Sequence, residues 1–279
     1  MKPVLNALTV DVEDWVQSTY DRDAQVGPRV VTNTLRLLDL LDCFGVRATF
    51  FVQGMVAQLF PELVREIDRR GHEVGSHGYA HEPILRQSPR QFEEDALRAR
   101  ELIGEITGKA PSGYRAPDFS IMPSTLWALD CLHRLGFTYD SSIFPIRHRR
   151  YGIASWPAGP HLVRLGDGGA IAEFPISVLQ LGQTRLPFLG GGYTRLLPVA
   201  AQLWGIRRLN RSGLPAMLYI HPYELNPKEM DELPISRHSP LRFQQNWGRR
   251  SFERKLRTLL ATFPFAPARA ILQALGLVE

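Results

Sequence analysis

Two imidazoles stand four positions apart in the stretch "GSHGYAH" at residues 75–81, and the carboxylate run "DVED" begins at Asp11. Two histidines and one carboxylate are a recurrent ligand set for a divalent cation, and they leave a coordination position open for hydrolysis. A single histidine of this kind is more often a solvated or turn residue, so the weight lies in the combination. His77 and His81 can face one cation if their segment is helical or tightly turned. Along a strand, Asp11 and Glu13 share a face. That spacing favours Glu13 as the third ligand, while Asp14 stays a candidate if the strand has already curled. One carboxylate must remain free to take a proton from water. Asp11 fills that role, with Arg115 as the cation that keeps it ionised and oriented.

These groups are distant in sequence, and only a fold can gather them. "PVLNALTVD" reads as a buried strand ending in the carboxylates, "RATFFV" and "HEVGS" as further strands, and "AMLYIH" as a late one ending at His221. Between them lie amphipathic stretches with helical spacing, such as "VVTNTLRLLDLLDCFGV", "FPELVREIDRRG" and "SPRQFEEDALRARELIGEITG". Ser88 and Pro89 suit the cap and first position of the last of these. Strand–helix alternation with short links implies parallel strands and right-handed crossovers. The expected fold class is therefore α/β, a β/α barrel or an open doubly wound sheet, with the chemistry at the C-terminal strand ends. The ends "DVED", "SHGYAH", "YRAPDF", "YDSS" and "IHPYE" would then crowd one mouth. Residues 144–194 are dense in Gly and Pro and read as a loop-rich elaboration of a single domain spanning 1–279, with 222–279 as a C-terminal extension. The triplet at Gly190 to Gly192 reads as a surface loop.

Composition sets outer bounds. The 279 residues are 44% hydrophobic and 22% charged, with a net charge of +5, which suits a sizeable globular core. No basic tail or arginine/aromatic stripe argues for nucleic acid. Cys43 and Cys131 offer no disulfide framework and are expected as buried free thiols. The N-terminal apolar run is too short for a secretory signal or a membrane span, so the expected location is cytoplasmic.

Five ordered motifs carry a resemblance. "TVDVEDW", "SHGYAH", "YRAPDF", "YDSS" and "LYIHP", supported by "ATFFVQG", resemble the polysaccharide deacetylases of the NodB-homology type, carbohydrate esterase family four. The similarity is greatest to the exopolysaccharide-biosynthesis, exosortase-associated branch. The resemblance implies a distorted (β/α)7-type barrel with an irregular insertion and a C-terminal helical extension. It also implies metal-dependent hydrolysis of N-acetyl groups on N-acetylhexosamine units of a polysaccharide or its precursor, with zinc as the default metal and cobalt or nickel as alternatives. Position by position, Asp11 is similar to the base, Arg115 to the residue that tunes it, His77 and His81 to metal ligands, and His221 to the general acid. Tyr114, Pro117, Asp118 and Asp140 are candidate substrate contacts, although Asp140 reads equally well as a turn cap. Two departures stand out: Val12 and Glu13 are inserted between acidic positions that are adjacent in the family, and Asp118 occupies a usually uncharged place. An N-acetylated glycan is the expected partner, with peripheral contact at an inner-membrane polysaccharide synthesis complex. The rival readings are an amidase acting on a small amide or cyclic imide and a non-catalytic carbohydrate-binding component of an export complex.

Overall fold

Side chains that alternate along the central strands divide the molecule into an outer face under helices and an inner face that carries the polar groups. The computed structural model describes residues 3–279 apart from 149, 232, 234 and 237. In chain order the first half runs β1 (Asn6–Val12), α1 (Arg29–Cys43), β2 (Thr49–Val52), α2 (Gly54–Leu59), α3 (Pro61–Arg69), β3 (Glu73–Ser76), α4 (Pro89–Thr107), β4 (Gly113–Tyr114), α5 (Trp127–Arg134) and β5 (Tyr139–Asp140). The second half adds β6 (His161–Arg164), β7 (Ala170–Glu173), β8 (Val178–Leu181), β9 (Thr184–Pro187), α6 (Gly191–Leu196), α7 (Val199–Arg211) and β10 (Met217–Ile220). It closes with α8 (Pro240–Asn246), α9 (Arg249–Thr262), β11 (Phe265–Ala266) and α10 (Ala268–Ala274).

The main sheet has the order β10-β1-β2-β3-β4-β5-β7-β6, with β11 against the start of β1. All of these pairings are parallel except β6 with β7. Among the described residues no ladder joins β6 back to β10, so the distorted barrel of the sequence expectation is a curled half-barrel with an open side. Leu8, Val10, Val12, Phe50, Val52, Leu218 and Ile220 point outward into one apolar cluster with Leu37, Leu41, Val64, Ile67 and Phe252 of the surrounding helices. The intervening residues Ala7, Phe51, Met217 and Tyr219 turn inward with Tyr139, Phe144 and Phe174. Thr9 and Asp11 share that inner face, which places a carboxylate inside the curl.

Local sequence accounts for the helices. Ser88 and Gln91 exchange hydrogen bonds in a capping box, Pro89 occupies the first position of α4, and Gly108 closes the helix at φ 72°. Residues 144–194 depart from a loop-rich elaboration, because β7 continues the main sheet beside β5 and β8 and β9 form a hairpin. These strands are four residues each, too short for a periodic apolar pattern to mark them. Cys131 is buried as expected, whereas Cys43 is exposed, because it lies on the side of the last turn of α1 away from the buried Leu40 and Leu41.

The glycine triplet is not a surface loop either. Gly190 at φ 88° and Gly191 at φ 44° press against the Tyr219 ring at the start of α6. A Cβ added to Gly190 would stand 1.9 Å from Tyr219 Cδ1. Gly190→Ala combines overpacking with left-handed strain and is expected to destabilise the fold by about 2–4 kcal/mol, read as a lower denaturant midpoint.

Candidate metal centre and active site

Because β1, β3, β4 and β10 run parallel, the residues just beyond them meet at one edge: Glu13 after Val12, His77 after Ser76, Arg115 after Tyr114 and His221 after Ile220. Ligand atoms of Glu13, His77 and His81 all lie within 4.8 Å of one another, and all three residues are buried. Glu13 Oε2 is 2.5 Å from His81 Nε2 and 3.3 Å from His77 Nε2. Its other oxygen accepts from Ser18 Oγ (3.1 Å) and Tyr223 Oη (3.4 Å), which aims the first oxygen at the imidazoles. The segment between the histidines is a tight turn rather than a helix. Asp95 of α4 accepts the amides of Tyr79 and Ala80 (2.7 and 2.9 Å), and His81 takes a left-handed φ of 59°.

The donor chemistry fits a cation. His77 Nδ1 donates to the Arg115 carbonyl (2.8 Å), so its Nε2 lone pair faces the Glu13 carboxylate. Two electron-rich groups at that separation in a buried site repel unless a cation lies between them. His81 Nδ1 is buried without a hydrogen-bond partner among the described residues. Burial raises the Glu13 pKa, but the facing histidines outweigh it and hold the carboxyl well below its ordinary value. Burial likewise opposes charge on His81, and Glu13 reverses the sign and raises that pKa.

Asp11 lies behind this cradle. Its Oδ1 accepts from Arg115 Nη1 at 2.8 Å, and its Oδ2 is 3.9 Å from His221 Nε2. Arg115 is fully buried, and its remaining donors reach Thr9 Oγ1, Ser141 O, Ser141 Oγ and Met217 Sδ. His221 Nε2 also lies 3.8 Å from Glu13 Oε1, while its Nδ1 faces Glu224 Oε2 at 3.3 Å. Burial disfavours the imidazolium, but the Glu224 hydrogen bond and the charges of Glu13, Glu224 and Asp11 prevail and push His221 up to about 9. Its protonated form therefore dominates at neutral pH. A cleft of about 190 Å³ exposes Asp11, Glu13, His77, His81 and His221, with Asp118 and Tyr151 at its wall.

Four expected positions fall elsewhere. Asp14 is not in the cradle: its Oδ1 accepts the amides of Val16 and Gln17 and its Oδ2 that of Gly27, so it fastens the π-helical turn at Val16–Tyr20. Tyr114 is buried in an apolar cluster with Phe92 and Phe137. Pro117 is buried and does not line the cleft. Asp140 is fully buried and bonded to the Ser142 amide and hydroxyl, beside a Glu173 whose pKa burial and the Asp140 charge push well up. Asp118 does face the cleft, at φ 54°, between Arg22 (3.5 Å) and Arg150 (3.8 Å). Asp95, Glu224 and Arg195, which bonds Glu224 at 2.8 Å, had no assigned role in the sequence.

Fold and site together define a curled α/β half-barrel with a two-histidine, one-carboxylate cation cradle at its mouth. Residues 11–139 match the family model for polysaccharide deacetylase, and residues 141–273 match a domain of unknown function, DUF3473. The chain thus carries a polysaccharide deacetylase domain of the NodB-homology, carbohydrate esterase family four type. It is 33% identical over 187 residues to a peptidoglycan deacetylase of Helicobacter pylori, covering 66% of this chain and 56% of that protein. The chain spans about half, or less, of the length of curated relatives it matches. Among solved structures, a Mycobacterium smegmatis protein assigned to the polysaccharide deacetylases aligns with a TM-score of 0.67 at 23% identity, over 97% of this chain and 89% of that one. The allantoinase PuuE aligns at 0.61 and 17% identity, over 96% and 89%. Both likenesses concern the fold. Among the described residues no helix is long and apolar enough to cross a membrane.

Two outcomes follow from this geometry. Glu13→Ala should abolish high-affinity binding of one divalent ion per chain, measured by titration and elemental analysis. Asp14→Ala should retain the ion and cost about 1 kcal/mol of stability, as loss of a capping carboxylate does. In chelator-treated protein, His221 should titrate near 9 by NMR, above the ordinary imidazole value of about 6.5, and lose its proton only as the pH rises through that midpoint.

Proposed function

We infer that the chain removes N-acetyl groups hydrolytically from N-acetylhexosamine units of a polysaccharide or its precursor, with a bound divalent metal. The observation that carries this reading is the placement of one further carboxylate, Asp11, and one further imidazole, His221, beside the Glu13–His77–His81 cradle. Those three residues would hold the metal, and two imidazoles with a carboxylate suit zinc. When bound, such an ion supplies Lewis acidity toward an amide carbonyl oxygen and toward water.

The chain's own groups account for the proton traffic. Asp11 accepts a proton from the attacking water as its oxygen bonds to the acetyl carbon. Arg115 holds that carboxylate in place for the attack through the bond from its Nη1 to Oδ1. The carbon–nitrogen bond then breaks, and His221 delivers its proton to the departing nitrogen, giving acetate and a free amine. Without that proton an amide nitrogen is a very poor leaving group. Acid and base groups of this kind are each worth roughly 10²–10⁴-fold in rate.

Relatives named as peptidoglycan and chitin deacetylases support an N-acetylated glycan as substrate. The similarity of the motifs to the exopolysaccharide branch extends the reading to an exopolysaccharide or its lipid-linked precursor, met peripherally at a membrane-bound synthesis complex. Acetate release from N-acetylglucosamine oligomers tests the reading. Activity should vanish with a chelator and return with zinc, and Asp11→Asn should lower it by roughly 10²–10⁴-fold while metal content is unchanged. Metal-loaded protein that leaves every N-acetylated glycan intact would overturn it.

A further inference from the structure

We propose that Glu224, clamped by Arg195, is the positioning residue that fixes the tautomer and orientation of His221 for proton donation into the cleft. The reaction itself rests on the deacetylase reading above. Glu224 is buried, and both of its oxygens are committed. Oε2 accepts from the His221 backbone amide (3.0 Å) and faces Nδ1 (3.3 Å), while Oε1 accepts from Arg195 Nε (2.8 Å). Arg195 is itself buried and anchored at its far end by the carbonyls of Gln245 (2.6 Å) and Trp247 (3.2 Å). A carboxylate gripped from two fixed directions has one orientation available.

That orientation has a chemical consequence. A carboxylate can only accept at Nδ1, so Nδ1 carries a proton in either charge state of the ring, and Nε2 is the position that gains and loses the other one. Nε2 is the atom that faces Asp11 and Glu13. The ring cannot easily swing away, because it stacks on Tyr223 at 4.8 Å with the planes 19° apart. The Tyr223 carbonyl is in turn held by Arg249, whose Nε bonds the same Gln245 carbonyl as Arg195. The aspartate that the sequence offered near the mouth, Asp140, is taken up by Ser142 and does not reach this ring.

Arg195, His221, Glu224 and Arg249 all fall within residues 141–273, the stretch whose family model is a domain of unknown function. On this proposal the second half of the chain supplies the proton donor and the clamp that aims it, while residues 11–139 carry the base and the cation cradle.

The experiment compares two substrates on the zinc-loaded full chain. An N-acetylglucosamine oligomer needs a proton on its leaving nitrogen; 4-nitrophenyl acetate expels a stable phenolate without one. Glu224→Gln, which is nearly isosteric, should lower the amide rate by roughly 10²-fold and the ester rate by only a few-fold. Arg195→Lys should move the ratio in the same direction by less. Adding Glu224→Gln to His221→Ala should cost little more on the amide, since the two act as a unit. Thermal unfolding checks that each variant folds. Parallel loss on both substrates, an unchanged amide rate, or full additivity with His221→Ala would each overturn the clamp. A wild type that hydrolyses no acetamide overturns both this proposal and the deacetylase reading, whereas parallel loss in an active wild type overturns this proposal alone.

Discussion

The buried guanidinium of Arg115 is the constraint on which the rest of the arrangement depends. A charge with no exposure to water is tolerable only if every donor is satisfied and a counter-charge lies close. Arg115 meets that demand by drawing on β1 through Thr9 and Asp11, on the end of β5 through Ser141, and on β10 through Met217. Its backbone carbonyl meanwhile receives His77, just past β3. The strands cannot slip or flatten without stranding one of these bonds. Removing one partner of such a pair generally costs about 3–5 kcal/mol. The same contacts that hold the curl also orient the base and set the tautomer of one imidazole, so stability and chemistry share a scaffold.

Around that cation the site is overloaded with negative charge. Asp11, Glu13 and Glu224 are all buried within reach of His221. In a medium of reduced dielectric their mutual repulsion is partly relieved by Arg115 and Arg195 and by a proton on His221. Burial alone would strip that proton, and the carboxylates keep it in place. A cation held among Glu13, His77 and His81 would relieve what remains. The charged form of His221 and the fit for a cation thus draw on the same excess of carboxylate.

Much of this was legible in the sequence, for identifiable reasons. Strand–helix alternation and two-residue periodicity implied parallel strands whose ends meet, which was enough to bring Asp11, His77, His81, Arg115 and His221 together. Glu13 against Asp14 was open because two neighbouring carboxylates differ only in where the strand ends. Continued extension through Val12 carries Glu13 to the inner face, and the following turn needs Asp14 for its amides. Tyr114 was misplaced because the residues of a two-residue strand do not reveal which face they turn: the register aligns it with Val12 and Val52 and sends it outward under the helices, and Asp140 on the same face takes the turn-cap reading. Asp95 reads as one more charge on an exposed helical face, and nothing local reveals that it holds the histidine turn. Glu224 did leave a signal. His-Pro-x-Glu after a strand opens a short helical turn with proline at the first position, and it folds the glutamate back onto the histidine amide.

The strand order explains why the site needs both halves of the chain. β1 sits between β2, its neighbour in sequence order, and β10, which arrives about two hundred residues later. Pairing Val10 with Ile220 sets His221 beside the carboxylates of β1, and in chain order β5, β7 and α7 all lie between the two strands. Long-range parallel pairing of this kind forms late, because the entropy of closing the intervening chain is lost before the contacts compensate it. The side chains of Glu13, His77 and His81 all precede β4, but the Arg115 carbonyl and the Tyr223 hydroxyl that aim two of them come after it. The stretches 11–139 and 141–273 both contribute strands to the one main sheet. The site is complete only when β10 closes against β1, because His221 and Tyr223 both follow that strand.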